Sequence, residues 1–154
     1  MTQKNTWELA DLPEDHIAIK NKWVFVQKYD KQGKLIKYKA RLVAKGYFQI
    51  PGIDYFDVFS PVVHFETIRV LALATMHDWE IQQMDVKGAY LNGILKEEVY
   101  MAQPEGYEDG SNKICHLLKT LYGLKQSGHE WNIELNSQFK GNRYQRIHSD
   151  PSSV

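Results

Sequence analysis

The sequence predicts an α+β chain built on antiparallel strands, and three observations carry that expectation. Residues 22–29 and 34–45 are rich in β-branched and aromatic side chains and flank the turn cluster Asp30-Lys31-Gln32-Gly33. Residues 67–77 place Ile68, Leu71, Ala72 and Thr75 at helical spacing. Trp131, Leu135 and Phe139 recur every four residues between a Ser127-x-x-Glu130 pattern and Gly141.

The first pair of runs reads as a β-hairpin. Side chains alternate across a strand, so Ile36, Tyr38, Ala40, Leu42 and Ala44 form an apolar face while Lys37, Lys39, Arg41 and Lys45 share the other. Like charges along one face repel, a cost offset if a phosphate chain supplies the counter-charge. Arg41 suits that role, because guanidinium contacts phosphate in bidentate fashion. The competing reading is an exposed edge strand whose lysines prevent aggregation.

Beyond Gly46 the chain mixes aromatics with the turn dipeptide Pro51-Gly52, and Asp54 and Asp57 read as turn and capping residues rather than an acid/base pair. The 67–77 helix is expected to face the core. Residues 79–86 look like a strand, and Asn92-Gly93 looks like the turn of a hairpin leading into the strand 97–101. Asp85 then sits at a strand end, where a carboxylate is either a hydrogen-bonded polar group or, with the carbonyl of Val86, an oxygen ligand for a divalent ion. Asp78, Glu80, Glu97 and Glu98 look solvent-facing. Residues 114–124 read as one strand or a strand pair, and 128–140 as a helix that opens on a capping box and stops on a left-handed Gly141.

Length and composition set the remaining bounds. The 154 residues, 43% apolar and 25% charged, suit one folded domain. No apolar run approaches the roughly 20 residues of a membrane helix, and the first residues lack signal-peptide character, so a soluble, intracellular, non-secreted protein is expected. The single Cys115 excludes an internal disulfide framework. The six histidines lack zinc-site spacing, and Walker, G-x-G-x-x-G and G-x-S-x-G motifs are missing. The zero net charge conceals a segregation. Residues 20–46 carry nine cations against one anion, a local +8, and residues 47–112 carry three cations against eleven anions, a local −8.

Several blocks in order carry a family resemblance: Lys22-Trp23-Val24-Phe25, Tyr38-Lys39-Ala40-Arg41-Leu42-Val43-Ala44-Lys45-Gly46, Gly52-Ile53-Asp54-Tyr55, Gln83-Met84-Asp85-Val86-Lys87, Leu91-Asn92-Gly93, Glu98-Val99-Tyr100-Met101 and Leu121-Tyr122-Gly123-Leu124-Lys125-Gln126. Together they resemble the reverse transcriptase region of copia-type LTR retrotransposon polyproteins. The resemblance implies a partial fingers-and-palm fold with an antiparallel sheet and packed helices, fingers-like over about 20–60 and palm over about 61–154. It also implies RNA-directed DNA synthesis with magnesium on an RNA or DNA template-primer using deoxynucleotides, within a larger polyprotein.

Residue by residue, the resemblance makes Asp85 the first catalytic and metal-binding aspartate and Val86 a backbone metal ligand. It gives Lys39, Arg41 and Lys45 to the triphosphate, Tyr90 to the steric gate beneath the sugar, and Tyr122, Gly123 and Gln126 to the loop supporting the nascent base pair and template. Two departures stand out. Ser127-Gly128-His129-Glu130 replaces the family's small residue, proline and arginine, and no Tyr-x-Asp-Asp occurs among the 154 residues. The expectation is therefore a fragment inactive on its own. A non-catalytic nucleic-acid-binding module and a relic reading frame are the open alternatives.

Overall fold

A computed structural model describes residues 5–61 and 65–144. Residues 1–4, 62–64 and 145–154 lie outside the described residues.

The described residues form a mixed α/β structure with two antiparallel sheets and two helices. The predicted hairpin is present as β2, Asn21–Tyr29, paired with β3, Leu35–Ala44. The turn between them is closed by Asp30, whose carboxylate accepts from the backbone N–H groups of Gln32 and Lys34 at 2.9 and 2.8 Å. The second sheet has strand order β1-β5-β4, from β1, Trp7–Ala10, β4, Ile94–Met101, and β5, Ile114–Lys119. Residues 114–124 thus supply one strand and not a pair. Tyr122 beyond it makes only an isolated bridge to Val43.

An apolar cluster joins the two sheets. Leu42 and Ala44 from the base of the hairpin meet Val99, Met101, Cys115, Leu117, Leu121 and Leu124, with Ile19 between them. Ile19 is held by backbone bonds on both sides, donating to Tyr100 and accepting from Ala102. The expected apolar face of β3 is therefore only half used. Leu42 and Ala44 are buried, whereas Ile36 and Tyr38 are 65% and 70% exposed, because the hairpin tip extends beyond the second sheet.

Several expectations need correction. Residues 79–86 are not a strand: they run without a ladder, since no described strand lies beside them to supply one. The Asn92-Gly93 hairpin turn is consequently missing, and residues Ala89–Asn92 form a 3-10 turn that opens on a left-handed Gly88. The helix predicted over 67–77 exists as α1, Phe65–Met76, but Ile68, Leu71, Ala72 and Thr75 are exposed, and among the described side chains of the helix only Ala74 is buried. Spacing groups side chains on one face without supplying a neighbour to cover it. Glu97 is half-buried, contrary to its expected solvent exposure.

Helix α2, Ser127–Gly141, is confirmed with different ends. No capping box forms: Gln126 occupies the cap position, and the Ser127 hydroxyl donates to the Leu121 carbonyl at 2.5 Å. Buried Glu130 pairs instead with Lys96 at 3.4 Å. The left-handed residue after the helix is Arg143, not Gly141. The Trp131, Leu135 and Phe139 stripe is half-buried, and Leu135 and Phe139 line a groove of about 700 Å³ shared with Glu80, Gln82, Met84 and Val86. Those four alternate residues share one side of the extended segment, which is strand-like geometry without the ladder.

Candidate functional site

The hairpin register builds the basic face. Lys28 pairs with Lys37, Val26 with Lys39, Val24 with Arg41 and Lys22 with Val43, so five cations, Lys22, Lys28, Lys37, Lys39 and Arg41, share one side. Their crowding is visible at Lys39, whose ammonium is held below the usual lysine range. Arg41 is the main cause, followed by desolvation and by Lys28 and Lys37, while Asp85 pulls the other way. The fold thus brings the carboxylate of Asp85 within electrostatic reach of the hairpin. Lys45 stands apart, because β3 ends at Ala44 and Lys45 caps a 3-10 turn, Gly46–Phe48, with its N–H bonded to the Lys20 carbonyl. Lys22 and Lys28 are the cations that alternation along β3 alone does not show, although the hairpin register places both on this face.

Tyr122 connects the basic face to the rest of the site. The Arg41 guanidinium lies 5.5 Å from the centre of its ring. On the other element, the Tyr90 ring meets Tyr122 edge to face, with centroids 5.2 Å apart at 65°. The backbone explains the meeting. Ala44 donates its N–H to the Tyr122 carbonyl at 2.8 Å, which ties the end of β3 to the 120s loop. Tyr90 is fixed from behind, where its carbonyl accepts from the Thr120 hydroxyl and the Asn92 side chain closes the turn on Gly88 and Ala89.

The loop is braced by an amide network. Gln126 is wholly buried, donates to the Asp54 carbonyl at 2.9 Å and accepts from Gln49 at 3.0 Å. Gln49 in turn accepts from the Lys125 backbone at 2.8 Å. Asp54 closes its own turn on the Ile50 N–H at 2.7 Å, and Asp57 accepts from the Phe59 N–H at 3.0 Å, so both act as the turn residues expected. Gln126 stands in the Leu121–Gln126 block of the resemblance, whereas its partner Gln49 belongs to no motif and is distinguished only by its burial.

The departure at 127–130 is also built into this region. His129 donates from Nδ1 to the Phe59 carbonyl at 2.7 Å, and its Nε2 lies 3.9 Å from Asp57. A Cβ on Gly128 would come to 3.2 Å from the Ser60 side chain. The replaced segment therefore clamps the helix start onto residues 57–60.

Asp85 and Val86 are exposed on the unladdered segment. Among the described residues no three His, Cys, Asp or Glu side chains gather as a metal site. The donors that Asp85 and Val86 offer, one carboxylate and one carbonyl, are hard oxygens of the kind magnesium takes alongside phosphate and water.

Residues 4–151 match the family described as Reverse transcriptase (RNA-dependent DNA polymerase). The chain belongs to that family. It is 48% identical over 153 residues to the retrovirus-related Pol polyprotein from transposon TNT 1-94 of Nicotiana tabacum, covering 97% of this chain and 12% of that protein. It is 48% and 46% identical over 135 residues to the Pol polyproteins from transposons RE1 and RE2 of Arabidopsis thaliana, covering 85% of this chain and 9% of each. The sequence corresponds to the reverse transcriptase region of copia-type retrotransposon Pol polyproteins and spans about a tenth of those relatives. No solved structure matches. No helix among the described residues is long and apolar enough to cross a membrane.

Proposed function

We propose that this chain forms the part of a copia-type reverse transcriptase that holds the incoming deoxynucleotide and the template-primer, with the basic hairpin region, about 20–60, as fingers and about 61–154 as incomplete palm. The observation that carries this reading is the meeting of Arg41 and Tyr90 on the one ring of Tyr122, beside a basic face that feels Asp85.

Arg41 and Lys39 bind the triphosphate, which needs charge neutralisation and orientation more than covalent chemistry. Lys45 adds positive potential from the base of the hairpin. Tyr90 lies beneath the sugar and excludes a 2′-hydroxyl. Gly123 keeps the 120s loop against the hairpin, and Gln126 supports the template side from behind, since its own amide is fully engaged. A magnesium ion would be held by Asp85 and the Val86 carbonyl, where it supplies charge neutralisation for phosphoryl transfer. One carboxylate predicts weak metal binding and negligible nucleotide transfer by this polypeptide.

Two assays test the reading. Filter binding of an RNA–DNA template-primer is expected to weaken as salt rises, with a log–log slope of about −0.9 per phosphate neutralised on duplex. Changing Lys39, Arg41 and Lys45 together to Ala should abolish it; binding that survives the triple change rejects the reading. Primer extension with magnesium is expected to show no product, and synthesis that disappears in Asp85→Ala would refute the expected inactivity.

A further inference from the structure

We infer that Tyr122 is a positioning residue of the nucleotide pocket, coupling the triphosphate cation to the sugar gate, rather than a contact for the template. This deepens the proposed nucleotide site and rests on that reading.

Arg41 stands on β3 and Tyr90 on the 3-10 turn Ala89–Asn92, two elements from distant parts of the chain. Both use the same ring. The guanidinium lies over it at 5.5 Å, and the Tyr90 ring packs against it edge to face at 5.2 Å. An aromatic face attracts a cation through its quadrupole, and an edge-to-face partner is held by the same charge distribution. The ring therefore restrains the two groups together.

Arg41 needs such a restraint. It shares its strand face with Lys28, Lys37 and Lys39, whose mutual repulsion is felt at Lys39. A long side chain repelled by its neighbours would otherwise spread over many rotamers. Tyr122 itself is well anchored. Its carbonyl accepts from Ala44, it bridges Val43, and the next residue, Gly123, is pressed against the Ala44 carbonyl. With one face occupied by Arg41, the ring is already engaged on the nucleotide side.

Isothermal titration of the whole chain with magnesium dATP and magnesium ATP tests this. Arg41→Ala is expected to weaken dATP binding about tenfold. Tyr122→Leu should weaken it about fivefold and narrow the preference for dATP over ATP, whereas Tyr122→Phe, which keeps the ring, should stay within twofold on both measures. Adding Tyr122→Leu to Arg41→Ala should cost little more than Arg41→Ala alone, since the cation it restrains is gone. Pentafluorophenylalanine at position 122 preserves shape and reverses the ring's charge distribution, so it should behave like Leu even if Tyr122→Leu fails to fold. If Arg41→Ala weakens binding while Tyr122→Leu and the fluorinated ring leave affinity and sugar preference unchanged, the coupling role is overturned and the nucleotide site stands. If the unmodified chain binds no dATP, or Arg41→Ala has no effect, the nucleotide site itself is wrong and the coupling falls with it.

Discussion

The backbones of Gly46 and Gly123 cross so closely that neither position has room for a side chain. A Cβ on Gly46 would collide with the Gly123 carbonyl oxygen and lie 2.9 Å from Gln49 Oε1. A Cβ on Gly123 would collide with the Ala44 carbonyl oxygen and lie 2.8 Å from Val43 Cγ1. This crossing joins the hairpin base to the 120s loop, and it is the reason Tyr122 can reach Arg41.

Gly123→Ala is expected to be among the most damaging single-methyl changes in the chain. Its φ of +93° is strained for any L side chain, and the added methyl meets backbone that cannot swing away. Strain and collision together should cost more than about 3 kcal/mol. Gly110→Ala is the control, because Gly110 has a φ of +81° with nothing within 4 Å. Strain alone should cost it about 1–2 kcal/mol. Urea unfolding of the two variants separates collision from strain, and equal losses would show that the crossing is looser than described.

Gln126→Leu should destabilise through unmet hydrogen bonds and not through lost volume. Leucine fills similar space but leaves the Gln49 amide N–H and the Asp54 carbonyl without their buried partner. That predicts a loss of about 1–3 kcal/mol. In Gln49→Leu/Gln126→Leu the second change should cost much less than it does alone, because Gln49 no longer presents a donor to be stranded. Full additivity in a thermodynamic double-mutant cycle would contradict this coupling.

Much of this site was legible in the sequence, for reasons that differ by residue. The hairpin was readable because its alternation and its turn are local features, and Asp30 closes the turn within four residues. Helix α2 was readable from the spacing of Trp131, Leu135 and Phe139, but its capping was not, because Ser127 and Glu130 find partners in Leu121 and Lys96 rather than in their own first turn. Residues 79–86 have a strand's composition without a ladder, and pairing is a tertiary property that composition cannot supply. The family motifs pointed to Arg41, Tyr90 and Tyr122 as separate elements. Their meeting required the Gly46–Gly123 crossing, which spacing along the chain does not reveal.

Cys115 should resist thiol reagents in the folded protein. It is 1% exposed, and burial, with a smaller contribution from Asp109, pushes its thiol up to about 11. The thiolate is the reactive form, so at pH 8 only about one thiol in a thousand is ionised, and access to it is blocked as well. Labelling with the chromogenic disulfide dithiobis(nitrobenzoate) is expected to be negligible in buffer and complete in guanidinium. Rapid labelling without denaturant would show that the core around β5 opens readily.

The 103–113 loop should loosen in acid. The Asp109 carboxylate accepts from the Ser111 N–H, the Ser111 hydroxyl and the Gln103 amide, bonds that hold its pKa down to about 2. A folded pKa below the ordinary value near 4 means the stabilisation is complete above pH 4 and is lost as pH falls through about 2. The same loop covers Trp23, whose indole N–H donates to the Glu105 carbonyl at 3.0 Å and whose ring lies 5.6 Å from Tyr107. Chemical shifts of the Trp23 indole should therefore move between pH 4 and 2, and Asp109→Ala should produce the low-pH spectrum at pH 7. An indole signal unchanged by that substitution would separate the loop network from its contact with the hairpin.

Lys28 gives the sharpest test of how the basic face is organised. It stands opposite Lys37 and adds to the charge that depresses Lys39. Lys28→Ala removes one repulsion, so the Lys39 ammonium should titrate at higher pH in a side-chain NMR experiment. If Lys28 also neutralises a phosphate of bound duplex, the salt slope of template-primer binding should become shallower by about 0.9. Lys31 sits in the exposed turn at the hairpin tip, outside the paired register, and Lys31→Ala should leave the Lys39 titration unchanged. Equal effects of the two substitutions on both readouts would mean that net charge, and not the register of the hairpin, sets binding.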